Sequence, residues 1–446
     1  MKIPVSPPLL SKLLNEHSRD FGPILRAGVG PEVDGVYEHW DHLRHLPPPE
    51  GLTSEDWWLG VKLARQPIYC NLPLRDKQGP LRIAVTDSML RRLHFIDREA
   101  AGAIQGMDRV ENAQDRGRYL IRSLVEEAMT SSQLEGASTT RQVAKAMLVS
   151  GRQPHDRSEQ MIYNNYQAMR QLARWRELPL TPDAIFAMHR VLTTDALDDP
   201  SAAGRFRRAD ELIEVVDRDG GTVLHRPPPA RELEARMAAL CAFANAGDDD
   251  ANFVHPVIRA IALHFQIGYD HPFVDGNGRT ARALFYWSML RSGYWLTEFL
   301  SISSVLKSAP AQYNRAFLYT ETDDADLSYF VNHQLTVIEK AVEGLHGYLA
   351  RKTSEQRQAE TLLAGSSPLA AQLNHRQRAL LVDALRNPGR QYMIAGHQQA
   401  HHVTYQTART DLLNLANAGL MNQRKISNAF VFEAAPDFAE RLRSGN

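Results

Sequence analysis

One stretch of this chain gathers the residue types that phosphate chemistry needs: His271-Pro272-Phe273-Val274-Asp275-Gly276-Asn277-Gly278-Arg279-Thr280-Ala281-Arg282. Glycines at 276 and 278, either side of Asn277, open backbone angles closed to other residues, so successive N–H groups can converge on an anion. A helix starting directly afterwards adds its positive end. Arg279 and Arg282 are three apart on that helix, share a face, and can both reach a polyphosphate. Asp275 contributes one hard oxygen ligand, which suits Mg²⁺, a cation that takes few protein carboxylates and arrives with the nucleotide's phosphates. His271 stands at the loop mouth, where a neutral imidazole can take the proton of an attacking hydroxyl. Phe273 is expected to point inward and anchor the loop.

Each piece alone has an ordinary reading. A glycine-rich turn before a helix is a common connection, and a lone His-Pro is usually structural. Base, metal ligand, anion nest and spaced arginines together are not a common connection.

Helical spacing is expected to position this loop between helices over 257–269 and 280–291. Further helical patterns run through 53–65, most of 88–197, 230–244 and 327–349, with breaks at Gly136, Gly151 and Pro182. Residues 211–216 and 222–225 flank Asp219-Gly220-Gly221, the turn chemistry of a β-hairpin. Beyond a polar stretch at 351–372, helices at 376–385 and 404–418, a cap at Gly419 and two short strands around Ser427-Asn428 suggest a winged helix. The fold class expected is therefore mainly α: a helical domain with a small β-hairpin flap, plus a C-terminal winged-helix-like α+β module. The boundaries expected are an N-terminal accessory region (1–87), the helical domain (88–350), a linker (351–372) and the module (373–446).

Composition narrows the classes. Lys and Arg total 51 against 52 Asp and Glu, so no general basic coat for nucleic acid exists and any charged partner meets a local patch. Cys70 and Cys241 lack paired-ligand spacing, which excludes a disulfide framework or thiolate zinc site and fits a reducing cytoplasm. Neither a signal-peptide core nor a membrane-length apolar run is present, so a soluble, cytoplasmic protein is expected. The starting residues of P-loop, zincin and serine-hydrolase sites are missing.

The 271–282 segment matches His-x-Phe-x-Asp/Glu-Gly-Asn-Gly-Arg-x-x-Arg at every specified position, and so resembles the Fic (filamentation induced by cAMP) family. The resemblance implies a helical Fic domain over roughly 90–350, and transfer of AMP from Mg·ATP to a Ser, Thr or Tyr hydroxyl of a target protein, possibly this chain itself. It implies His271 as base, Asp275 as Mg²⁺ ligand, Gly276, Asn277 and Gly278 as phosphate cradle, and Arg279 and Arg282 on the outer phosphates. The hairpin resembles the family's target-docking flap, with Ile213, Glu214, Val215 and Val216 as the edge to which a target backbone adds by main-chain hydrogen bonds. Ser131-Ser132-Gln133-Leu134-Glu135-Gly136 resembles the family's inhibitory motif, which implies that Glu135 pairs with Arg282 and blocks productive ATP binding. The sequence leaves open whether the site adds AMP or removes it. It also leaves open a nucleotide-sensing DNA-binding regulator, because Tyr405, Gln406, Arg409, Arg424 and Lys425 could contact DNA, or else a protein, a second copy of this chain included.

Overall fold

A computed structural model describes residues 2–16, 21–101, 113–217, 221–247, 252–361, 372–387, 389–426, 429–438 and 440–441. The chain divides into two units, Met1–Gln105 with Leu120–Val342, and Gly106–Tyr119 with Glu343–Asn446. As expected, it is mainly helical, and the sheets among the described residues are small and antiparallel.

The first unit begins with α1 (Leu10–Glu16), α2 (Gly22–Arg26), α3 (Trp40–Leu43) and α4 (Ser54–Arg65), followed by the hairpin β1 (Tyr69–Arg75) and β2 (Pro80–Ala84). A capping box between Thr53 and Asp56 starts α4, and its Trp57, Trp58 and Val61 pack with Leu13, Ile24 and Leu43 into a core of their own. Two buried cations of α4 tie this region to the end of the domain. Lys62 Nζ lies 2.7 Å from Asp323 Oδ1 and Arg65 Nη1 donates to Tyr329 at 2.8 Å. Such contacts leave an uncompensated buried charge when one partner is lost, so they fix the N-terminal region in place.

The helices α5 (Asp87–Ile96), α6 (Ala113–Leu134), α7 (Arg141–Ser150), α8 (Arg157–Trp175) and α9 (Pro182–Thr193) follow, with Gly151 as a left-handed C-cap and Pro182 in the first turn of α9. The hairpin is shorter than its sequence suggests: β3 is only Val215–Val216, paired with β4 (Val223–His225). Residues 208–212 turn instead, because the Glu211 carboxylate accepts two hydrogen bonds from Arg205 and one from the Arg208 N–H. Asp219 and Gly220 of the expected turn lie outside the described residues.

After α10 (Leu233–Asn245) come α11 (Pro256–Asp270) and α12 (Asn277–Arg291), which pack against each other and are buried on nearly every side. Helices buried on nearly every side are held by the core around them, and the loop between these two, 271–276, therefore starts from rigid walls. Around them lie α13 (Ile302–Ser308), α14 (Pro310–Thr322) and α15 (Ser328–Thr361). Residues 351–361, expected at the start of a linker, continue α15, and most of the rest of that stretch, 362–371, lies outside the described residues.

The second unit contains α16 (His375–Arg386), β5 (Gln391–Met393), α17 (Ile394–His401), α18 (Tyr405–Asn417), β6 (Met421–Ile426) and β7 (Ala429–Ala434), the strands ordered β5-β7-β6. Leu380, Leu381, Leu412, Leu415, Leu420 and Phe432 form its own core. Here β5 and α17 are additions to the expected elements. The side chains of α17 that bury are Ile394 and His397, so it shows no apolar stripe to read. Ser427 and Asn428 lie outside the described residues. Among the described residues no helix is long and apolar enough to cross a membrane.

Candidate active site

His271 ends α11 as a left-handed C-cap with φ +42°, an unusual conformation for a residue with a side chain, and it swings the imidazole over the loop. Its Nδ1 lies 2.5 Å from the carbonyl oxygen of Gly268. A carbonyl only accepts, so Nδ1 carries the proton and Nε2 keeps its lone pair. Burial lowers the pKa of His271 to about 4, the Gly268 carbonyl pulling the other way, so the ring is a neutral base near pH 7.

Two residues that no sequence pattern flagged hold this base. Arg207 donates from Nε to the His271 carbonyl at 2.7 Å, and its backbone N–H donates to the Pro272 carbonyl at 2.8 Å. On the other side of the loop, His189 of α9 accepts from the Gly204 N–H at Nδ1 and donates from Nε2 to the Asp275 carbonyl at 2.8 Å. The His189 ring stacks on Phe273 with centroids 3.8 Å apart, and Phe273 is fully buried, the inward anchor expected of it. His189 could have been noticed as a polar residue on the apolar face of α9; Arg207 sits in irregular chain with no local signal.

The glycines divide their tasks. Gly276 has φ +83°, and a Cβ there would lie 2.8 Å from Thr193, so both conformation and space demand glycine. Gly278 does not need a positive φ, because α12 starts at Asn277, three residues before the helix the spacing predicts, and 278 is already helical. Space favours glycine here instead: an added Cβ would meet Glu135 Oε1 at 2.1 Å, so the carboxylate would have to move. The Asn277 side chain accepts from the Phe273 N–H at 2.9 Å and returns a bond to its carbonyl at 2.8 Å, closing the loop on itself. Among the described residues no side chain caps α12, so the N–H groups of its first turn are left for an anion.

These groups open onto a cleft of about 310 Å³ lined by Glu135, Leu212, Ile213, Glu214, His271, Asp275, Gly276 and Gly278, among others. Ile213 and Glu214, expected at the flap edge, thus face the same space as the His271 imidazole. Val215 and Val216 form the short strand beyond them.

The two guanidiniums are buried beneath the cleft. Arg279 Nη1 donates to the Leu192 carbonyl at 2.9 Å and Nη2 lies 3.4 Å from Asp275 Oδ2, while its Nε–H has no partner among the described residues. Arg282 donates from Nε to Ser131 Oγ at 2.8 Å, and from Nη2 to the Ser131 carbonyl at 2.9 Å and to Glu135 Oε1 at 2.8 Å. Burial would raise the Glu135 pKa, but the Arg282 charge and hydrogen bond outweigh it, with the Arg279 charge adding, and the carboxyl is held below its usual range. Glu135 therefore sits ionised at the cleft, one residue past the end of α6. Glu127, also on α6 and buried, accepts from the Ser303 N–H at 3.0 Å and from Ser301 Oγ at 2.9 Å, which docks the helix on the start of α13.

Asp275, half-exposed, is the carboxylate of the loop. Its Oδ1 accepts from the Gly276 N–H at 2.5 Å, and Oδ2 has Arg279 at 3.4 Å and Arg157 at 3.6 Å. The loosely engaged Oδ2 beside unpaired N–H donors suits a hard cation that brings its own phosphate ligands.

The sequence pattern of the Fic/DOC family matches residues 179–289. Over 119 residues the chain is 33% identical to a protein adenylyltransferase Fic of Drosophila grimshawi, and over 115 residues 33% identical to one of Nematostella vectensis. The matched stretches make up 27% and 26% of this chain, but only 22% and 24% of those relatives. A crystal structure of a Fic family protein from Desulfovibrio desulfuricans superposes with a TM-score of 0.50 at 19% identity, covering 78% of this chain and 94% of that one, a likeness of fold alone. The loop geometry, the family pattern and the related sequences converge on one conclusion: residues 179–289 of this chain form a Fic domain.

Proposed function

We propose that this chain is a protein adenylyltransferase restrained by its own Glu135. It moves AMP from ATP to a Ser, Thr or Tyr hydroxyl of a protein target. The observation that carries the reading is the neutral His271, its Nε2 lone pair free, above a helix start whose N–H groups have no cap.

In this mechanism the target's backbone lies along the flap edge at Ile213, Glu214, Val215 and Val216, which places its hydroxyl without demanding a particular sequence. His271 Nε2 takes the hydroxyl proton as the oxygen attacks the α-phosphorus. The new O–P bond forms as the bond to the bridging oxygen breaks, and pyrophosphate leaves. The backbone at Gly276, Asn277 and Gly278 holds the phosphates, and Arg279 and Arg282 hold the outer ones once Glu135 has withdrawn. Asp275 is the residue to hold Mg²⁺, which when bound neutralises phosphate charge.

Glu135 fits a brake because it occupies the guanidinium that the outer phosphate needs. Removal of AMP from a modified target by the same site is the second reading, favoured by an ionised Glu135 in a cleft it shares with His271. Incubation with Mg²⁺ and ATP radiolabelled at its α-phosphate tests the first reading: label should enter protein and be lost in His271→Ala. Label released from a pre-modified target, with none incorporated, would favour removal. We further propose that residues 373–446 are a winged-helix-like module, a reading supported by three helices on a small antiparallel sheet.

A further inference from the structure

We infer that residues 373–446 bind duplex DNA, with the exposed face of α18 in the major groove and the edge strand β6 against the backbone.

Residues 373–446 carry nine Lys or Arg against five Asp or Glu, in a chain balanced at 51 to 52. Three of those acids are engaged within the module: Asp383 with Arg390 at 3.1 Å, Asp411 with Arg376 at 2.7 Å and Asp437 with Arg441 at 2.9 Å. Arg409, Arg424 and Lys425 are exposed, and among the described residues none has a carboxylate within ion-pair distance.

The distribution along α18 is more telling than the total. An ordinary solvated helix face mixes acids with bases. Here the exposed face presents Gln406, Arg409 and Asn414 and carries no acid. The helix's only carboxylate, Asp411, is turned inward to Arg376, Asn374 and His397. Exposed amides and a guanidinium are the groups that read base edges: Gln pairs with adenine and Arg with guanine in two-bond geometry. β6 repeats the pattern, with exposed Asn422, Gln423, Arg424 and Lys425, again without acids, on an edge whose far side pairs with no strand among the described residues.

The geometry agrees. α17 and α18 are joined by three residues, 402–404, with His402 at φ +51° making the turn, and the two helices pack on each other. That is a helix-turn-helix whose second helix offers its outer face. At Gly419, φ +69°, the chain reverses, and β6 packs against α18. Thirteen helical residues and six strand residues both span about 20 Å, so the basic end of β6 returns level with the first turns of α18. Gln406 and Arg409 are in those turns.

The test uses the full chain and a fluorescent mixed-sequence duplex of about 20 base pairs, titrated by anisotropy across a salt series. Three phosphate-neutralising cations predict a log–log salt slope of about −3. In Arg409→Gln/Arg424→Gln/Lys425→Gln the affinity should fall about tenfold or more at low salt and the slope should flatten by about one for each cation removed. An unchanged thermal melt shows the module still folded. No duplex binding at low salt, or equal affinity and slope in parent and variant, overturns the inference. So does a dimer seen by ultracentrifugation that the triple variant abolishes while leaving DNA affinity untouched, which would assign the face to protein.

Discussion

Glu135 and Gly278 are matched in space. Glu135 Oε1, 2.8 Å from Arg282 Nη2, occupies the spot that a Cβ on residue 278 would approach to 2.1 Å. The absent side chain at 278 is the room in which the carboxylate sits. Gly278→Ala should therefore weaken the Glu135–Arg282 pair and lower stability by about 1–2 kcal/mol in the parent. In a Glu135→Gly background it should be neutral, or stabilising by up to about 1 kcal/mol, because alanine favours the helix. Urea unfolding of the four proteins measures this coupling; the same change in both backgrounds would break the argument.

Arg207 holds the base by its carbonyl rather than its ring. Arg207→Ala should cost about 2–3 kcal/mol by stripping charged donors from buried carbonyls. With Glu135→Gly present to expose turnover, kcat should fall more than KM for ATP rises, since the imidazole shifts but the phosphate cradle does not. A loss confined to KM would mean that Arg207 acts on nucleotide binding instead.

Burial lowers the pKa of His39 and His189, as of His271, to about 4, in each case chiefly by desolvation. Unfolded, such rings titrate near 6.5. Between about pH 6.5 and 4 the unfolded chain therefore binds more protons, and stability must fall with falling pH, by up to about 1.4 kcal/mol per unit for each fully buried ring. Their contribution is whole above 6.5 and lost as pH drops toward 4. Urea midpoints at pH 7 and pH 5 check the sign; a higher midpoint at pH 5 contradicts it.

What could be read from sequence was the local chemistry. The 271–282 segment and the flanking helices announce themselves because a nest, a base and spaced guanidiniums are properties of neighbours in the chain, whereas Glu135, 147 residues from Arg282, is reached only through its resemblance to a known motif. What could not be read was long-range packing. Arg207 and His189 reach the loop across 64 and 86 residues, and no periodicity encodes that. Gly278 reads as a loop residue in the sequence, whereas the structure places it inside α12, where it leaves room for Glu135. The hairpin is shorter than its sequence pattern because Glu211, strand-like by position, is folded into a turn by Arg205. In α17, a helix with two buried side chains leaves no pattern to find.

Asp275 should matter through the cation. In the Glu135→Gly background, chelation with EDTA should abolish AMP incorporation, and Asp275→Asn should reduce it about 100-fold with partial recovery at high Mg²⁺. Full activity of Asp275→Asn at low Mg²⁺ would remove this residue from the metal site.

In the proposed mechanism one carboxylate, Glu135, withholds Arg282 from ATP. The direct measurement is the rate of α-phosphate label entering protein for the parent, Glu135→Gly and Glu135→Gly/His271→Ala, at equal Mg²⁺ and ATP. Glu135→Gly should raise labelling by about tenfold or more, the worth of one charge-assisted bond returned to the nucleotide, and the double variant should carry no label. Equal labelling of the parent and Glu135→Gly would contradict it.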